Sequence, residues 1–138
     1  MKLVIDTNIV NASLIKDSFT RKVILHPDLE IYAPEYLIIE LENHKAEIFK
    51  KSDLKKEDLD KIYDEIFLKL IIVPLDDFKK YLPKANEILG NIDKYDIPFL
   101  ALTLSFKNDG IWTNDKDFDK QNEVEVWKTK DLIKILEK

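Results

Sequence analysis

Cysteine is absent from this 138-residue chain, and histidine occurs only twice, at His26 and His44. Without thiols there is no disulfide framework, no zinc–thiolate site and no cysteine nucleophile. Two isolated histidines also argue against a His-rich metal site or paired-histidine chemistry. Glycine is nearly as scarce, with two residues against five prolines, which leaves little material for flexible linkers. No internal repeat or low-complexity tract is present. Long apolar runs are missing as well: the longest, residues 67–75 and 97–104, fall well short of the ~20 residues that span a bilayer. Met1 leads straight into KLVID with no signal-peptide pattern. A soluble, cytoplasmic protein with no membrane association is expected. Positive charge is in deficit, 22 Lys+Arg against 27 Asp+Glu for a net −5. That balance argues against a protein that grips nucleic acid mainly through a basic face. It leaves room for a nuclease, because acids concentrated in one site are offset by bound metal ions.

The 45% hydrophobic and 36% charged content excludes a disordered or fibrous chain. A chain of this length buries roughly 70% of its unfolded surface, so one domain over residues 1–138 is expected. Residues 2–6 (KLVID) form a nearly continuous apolar run, as a buried parallel strand does. Residues 29–33 (LEIYA), 70–73 (LIIV), 110–113 (GIWT) and 124–127 (VEVW) are four further short strands. From Pro34 a helix is expected, with Leu37, Leu41, His44 and Ile48 on one apolar face; His44, one turn after Glu40, is read as a packed histidine, with a place at the site's edge as the alternative. Leu59, Ile62, Tyr63, Ile66, Phe67 and Leu70 give the clearest helical spacing. The charged stretch 50–61 is a joint between these two helices, with Ser52 or Asp53 as its cap. Residues 76–89 predict a helix closed by Gly90, residues 98–107 a helix buried on nearly every side, and residues 130–137 a last helix capped by Thr129. Strands alternating with helices imply an α/β fold, a three-layer α/β/α sandwich around a five-stranded parallel sheet.

Four acids fall where such a sheet delivers ligands, beyond the carboxyl ends of the strands. Asp6 directly follows the first strand and Asp115 the fourth, with Asp117 two residues on. Asp96 precedes the buried helix, and Glu40 lies within the helix after the second strand. Each alone has an ordinary structural explanation: an Asx-turn at Asp6, a turn cap at Asp115 or Asp117, an N-cap at Asp96 and a solvated helix face at Glu40. Together they say more. Carboxylates ~4 Å apart repel by roughly 4 kcal/mol per pair at an effective dielectric of 20, so a converging set requires a counter-charge. Oxygen ligands alone select a hard cation, Mg²⁺ or Mn²⁺. The chemistry implied is metal-assisted hydrolysis of a phosphodiester or related phosphate ester.

The segments VIDTN at 4–8, APEYLIIEL at 33–41, DIPFLALTL at 96–104 and IWTNDKDF at 111–118, taken in order, resemble the PIN-domain family over the full chain. The resemblance implies a parallel sheet between helices, often in a homodimer, and a metal-dependent ribonuclease acting on RNA. Asp6, Glu40, Asp96 and Asp115 match the family's acidic quartet, and Asp117 an additional acid. Asn8 and Thr113 match polar positions that orient a carboxylate or a water. The family picture has the ion held chiefly by Asp6, Asp96 and Asp115, with Glu40 behind them or bridging. Many members of this size resemble VapC-type toxins silenced by an antitoxin protein. The helical segment 50–70 carries no motif of the family.

Lys16, Arg21, Lys22, Lys45, Lys116 and Lys120 lie near the motifs in sequence and are candidate RNA contacts, although an ordinary solvated side chain is the better reading for each; Arg21 is the chain's one arginine. Trp112 is expected in the core, and Trp127 either stacks a base or packs beneath the last helix. Two competing readings remain. One is a PIN-like module that binds RNA or protein without turnover. The other is a haloacid-dehalogenase-like phosphatase, whose pattern requires a second Asp where this chain has Asn8.

Overall fold

The computed structural model describes residues 1–15, 18–90 and 93–137. Five strands, β1 (Lys2–Ile5), β2 (Glu30–Pro34), β3 (Leu70–Val73), β4 (Gly110–Trp112) and β5 (Val126–Trp127), form one parallel sheet in the order β3-β2-β1-β4-β5. Leu3, Val4 and Ile5 are completely buried, as are Ile111 and Trp112. A strand covered on both faces needs no polar alternation, which is why β1 and β4 read as unbroken apolar runs.

Eight α-helices surround the sheet among the described residues: α1 (Thr7–Ile15), α2 (Ser18–Ile24), α3 (Tyr36–Asn43), α4 (Lys45–Ser52), α5 (Lys56–Lys69), α6 (Leu82–Leu89), α7 (Ile97–Ser105) and α8 (Thr129–Leu136). The chain winds outward from β1 through β2 to β3, then crosses back to β4 beside β1. Because crossovers between parallel strands are right-handed, that reversal moves the intervening helices to the other face. Helix α1 packs with α2, α3, α4 and α5, and α8 joins this layer through α2; α7 lies across β1, β2 and β4 with α6 beside it. The α/β/α sandwich is thus present. Helix α7 has five consecutive buried residues, Phe99–Thr103, because sheet and helices both cover it. Thr103 satisfies its hydroxyl internally, donating to the Phe99 carbonyl at 2.7 Å. Among the described residues no helix is long and apolar enough to cross a membrane.

Several local expectations are corrected. The helix after β2 is broken at His44, which leaves helical geometry at φ −107° and ψ 9°. His44 is consequently exposed, with Nδ1 3.7 Å from the Glu47 carboxylate, and is not packed. The joint at residues 50–61 is present, with Asp53 closing α4 in the left-handed conformation at φ 55°. Helix α6 starts at Leu82, not at residue 76, and two short 3₁₀ turns, Leu75–Asp77 and Lys79–Tyr81, precede it. Pro83 sets that boundary, since proline without an amide hydrogen is accommodated only in a helix's first turn. Helix α8 begins at Thr129 itself; Asp131 reaches back to accept from the Lys128 amide at 3.0 Å, and the Thr129 hydroxyl serves the Trp112 indole instead. On α5 the face containing Leu59 and Ile66 is buried in the chain's own core, while Leu68 points out, 89% exposed.

Candidate active site

The sheet's winding reverses between β1 and β4, and at such a point the loops leaving the two strands separate and open a crevice. Asp6 is the first residue past β1. Its amide still donates to the Trp112 carbonyl of β4 at 3.1 Å, so the ladder fixes its position against the next strand. The carboxylate is buried, and its Oδ2 accepts from the Thr113 hydroxyl at 2.8 Å. Burial raises the Asp6 pKa, and the Asp115 charge adds to this; the Thr113 hydroxyl and the amides of Asn8 and Thr7 act the other way. Asn8 therefore serves Asp6 through its backbone, at the start of α1, where amide donors are unpaired.

Thr113 joins two acids with one hydroxyl: it donates to Asp6 and accepts from the Asp115 amide at 3.0 Å. Asp115 in turn accepts from the Asp117 amide at 2.9 Å, a turn that carries the chain into the short 3₁₀ segment Lys116–Lys120 and brings Asp117 to the same side. Thr113→Val is expected to leave both the Asp6 oxygen and the Asp115 amide unpaired at a fully buried position. The predicted loss is about 1–3 kcal/mol, read as a lower urea midpoint, with Thr113→Ser near wild type. Equal midpoints for Val and Ser would remove the hydroxyl from this role.

Asp96 opens α7 from the opposite face. Its backbone is already helical (φ −82°, ψ −17°) and its side chain caps nothing, so the N-cap explanation does not describe it. The cap of that region is Asp93, which accepts from the Tyr95 amide at 2.9 Å. Asp96 is buried, and its Oδ2 has no hydrogen-bond partner among the described residues. Burial above all, then the charges of Asp6, Asp93, Asp115 and Asp117, push its pKa up to about 8. Asp96, Asp115 and Asp117 each offer a carboxylate oxygen, and these oxygens lie within 4.8 Å of one another.

Glu40 approaches from α3 and is half-buried. Its Oε1 accepts from the Thr7 hydroxyl at 2.6 Å, which ties α3 to the residue after Asp6. Its pKa is raised, again chiefly by burial, with Thr7 opposing the shift and Asp6 and Asp93 adding to it. The sheet edge thus gathers Asp6, Glu40, Asp96, Asp115 and Asp117 into one electrostatic neighbourhood. Within it, the compact donor set is Asp96, Asp115 and Asp117, whereas Asp6 is engaged by Thr113. Thr7 and Asp93 were not singled out from the sequence. Thr7 stands inside the VIDTN motif, but its contact is with a residue 33 positions away, which spacing does not reveal.

Several candidate RNA contacts have other duties. Arg21 donates through Nε and Nη2 to the Ser13 carbonyl, at 3.2 and 3.1 Å, and so satisfies an open carbonyl in the last turn of α1. Lys120 lies 3.5 Å from Asp117. Lys22, Lys45 and Lys116 are exposed, and Lys16 lies outside the described residues. Trp112 is core, as expected. The Trp127 indole donates to the Asp109 carbonyl, at the amino end of β4 and away from the acids, so it stacks no base at this site.

A convergent set of carboxylates with one buried oxygen left without a partner suits a divalent cation, and such a site can stabilise charge on a phosphoryl group. The family model described as PIN domain matches residues 4–136. Among curated proteins none matches the chain.

Proposed function

Because the chain belongs to the PIN-domain family, we propose that its acid cluster hydrolyses phosphodiester bonds of RNA with the help of Mg²⁺ or Mn²⁺. The observation that carries this reading is Asp96: a buried carboxylate whose Oδ2 has no partner among the described residues, facing Asp115 and Asp117 within 4.8 Å. Burying such a group is costly unless something positive completes it. The donor set is all oxygen, and it suits a hard cation. Asp96 and Asp115 would hold the ion, with Asp6 and Asp117 as flanking ligands. When bound, it supplies positive charge for the phosphoryl oxygens and a more acidic water.

The chain's own residues do the rest. Thr113 keeps the Asp6 carboxylate turned towards Asp115. Thr7 occupies Oε1 of Glu40 and leaves Oε2 to accept a proton from the attacking water. That water adds its oxygen to phosphorus, the bond from phosphorus to the ribose oxygen breaks, and the leaving oxygen takes up a proton from solvent water to become a hydroxyl.

The narrower reading is a VapC-type toxin restrained by an antitoxin protein. An apolar groove of about 460 Å³ beside the site, with Tyr36, Ile38, Ile39, Leu75, Leu82 and Pro98 in its walls, supports it. Three of these, Ile38, Ile39 and Leu75, are more exposed than apolar side chains usually are, as a seat for a partner's apolar segment requires.

The test is cleavage of several RNAs by purified protein with Mg²⁺, with Mn²⁺ and with a chelator. Cleavage is expected only with metal. A folded protein that cuts none of them with either ion would point instead to a binding module without turnover.

A further inference from the structure

An acidic nuclease must hold a polyanion with little help from charge. Phosphate contacts dominate the affinity of most nucleic-acid-binding proteins, yet this chain carries a net −5. Few cations near the acids are free: Lys120 faces Asp117 and Lys128 is 3.1 Å from Asp119, which leaves Lys94 and Lys116 exposed. Affinity must come from elsewhere, and the bases offer a surface that carries no charge.

Beside the acids stands a pair of aromatic rings. Tyr95 directly precedes Asp96, and Tyr36 lies one helical turn before Glu40 on α3. Their rings are parallel within 6°, with centroids 6.4 Å apart, the separation of an offset stack and not of a closed sandwich. Tyr95 is 51% exposed although the next residue, Asp96, is buried. The exposed Lys94 places its ammonium 5.3 Å from the ring centre. A lysine side chain of this kind exchanges readily for a flat ligand and remains close enough to meet a phosphate. Tyr36 stands parallel to the ring on one side.

From this arrangement we propose that Tyr95, backed by Tyr36, is a stacking platform for one unpaired base next to the scissile phosphate. The proposal rests on the ribonuclease reading for its substrate. Tyr36 lies within the electrostatic reach of Glu40 and Asp93, which sets the pair at the rim of the acid cluster. A base within a duplex has both faces covered by its neighbours, whereas an unpaired base has a face free for the tyrosine. Stacking is tolerant of sequence, so no strong base preference follows.

The probe is a single-stranded RNA octamer with one 2-aminopurine, whose fluorescence falls when that base stacks. It is titrated into Asp96→Asn protein, with Tyr95→Ala or Tyr95→Phe added. Quenching is expected in the parent and in Tyr95→Phe. In Tyr95→Ala the quenching disappears and binding weakens about 10-fold or more. In the Asp96-intact enzyme, Tyr95→Ala raises KM by about the same factor and leaves kcat within about twofold. Between 50 and 200 mM salt, parent binding is expected to fall less than about 10-fold, against roughly 10³-fold or more where many phosphates are contacted. Tyr95 is half exposed, and circular dichroism verifies that each variant is folded.

The platform is overturned if Tyr95→Ala binds and quenches like its parent, or if a duplex carrying the same probe is bound equally well; metal-dependent cleavage by wild type would then leave the nuclease reading standing. Quenching that depends on Tyr95 in a protein that never cleaves RNA supports the platform and removes the nuclease reading. A folded parent that does not quench at all overturns the platform whatever the cleavage result.

Discussion

Asp96→Asn is expected to lower RNA cleavage by about 10³-fold or more while making the metal-free protein more stable. The two effects have one origin. Asp96 is held in a buried position, with Oδ2 unpaired, facing Asp6, Asp93, Asp115 and Asp117. That arrangement is poor for folding and good for capturing a cation. An amide of the same shape removes the charge that repels its neighbours and also the charge that draws in the ion. A residue kept for stability would show losses of both together; a functional one trades stability for activity.

The stability part depends on pH in a direction fixed by the shift. The Asp96 carboxyl titrates near 3.8 in an ordinary setting and at about 8 in the folded protein. Below about pH 4 it is neutral in both states and has no differential effect. Between about pH 4 and pH 8 the unfolded chain releases the proton and the folded one keeps it, so folding stability falls as pH rises. Above about pH 8 both are ionised and the loss is complete, on the order of 3 kcal/mol once solvent relaxation is allowed for. Asp96→Asn lacks this loss. With a chelator present, its Tm should match wild type near pH 4 and exceed it by about 10 °C at pH 8. Millimolar Mn²⁺ should close the gap from the wild-type side by mass action. Melting curves for the two proteins that stay parallel from pH 4 to pH 8 would show that Asp96 carries no such burden.

The parts of this fold that could be read in the sequence are those dictated by burial on all sides. Leu3, Val4 and Ile5 in β1, and residues Phe99–Thr103 in α7, have no polar alternation because no face of theirs meets water. Such runs identify a central parallel strand and a covered helix without knowledge of their partners. Helices α1 and α2 were not identified because they lack a clean apolar stripe. Ser13 is buried within α1 and satisfies its hydroxyl on the Val10 carbonyl, so a polar residue occupies a core position.

The acids were legible as positions, since the ends of β1 and β4 and the start of α7 are points where the topology converges. Their grouping was not. Asp117 joins Asp96 and Asp115 because a single turn, closed by its amide on the Asp115 carboxylate, carries it round. Asp93 stands beside Asp96 through a similar turn at Tyr95. Arg21 looked like a phosphate contact because it is the lone arginine, yet its geometry is set by a helix end eight residues away. A side chain's partner is decided by tertiary approach, and sequence spacing carries that only within an element.

The largest loss of stability is expected at Gly110, the first residue of β4. Its φ of +132° is a conformation that residues with a Cβ rarely adopt, and an added Cβ would overlap the Glu125 carbonyl oxygen and stand 2.9 Å from the Glu125 Cβ. That oxygen cannot retreat cheaply, because it accepts the Ile111 amide at 2.9 Å and thereby anchors β5 to β4. Gly110→Ala therefore costs both backbone strain and a displaced ladder bond, about 3–5 kcal/mol. Gly90, which closes α6, supplies the control. Its φ is +64°, but nothing lies within 4 Å of an added Cβ, so Gly90→Ala should cost only the backbone strain, about 1–2 kcal/mol. Urea midpoints measure the difference; equal losses at the two glycines would mean that β5 gives way freely. If β5 holds, the damage at Gly110 travels along β4 to Thr113 and Asp115, and the surviving folded fraction should bind Mn²⁺ more weakly than Gly90→Ala does. The close passage of β4 past Glu125 would then be part of what holds the acids together at the far end of the strand.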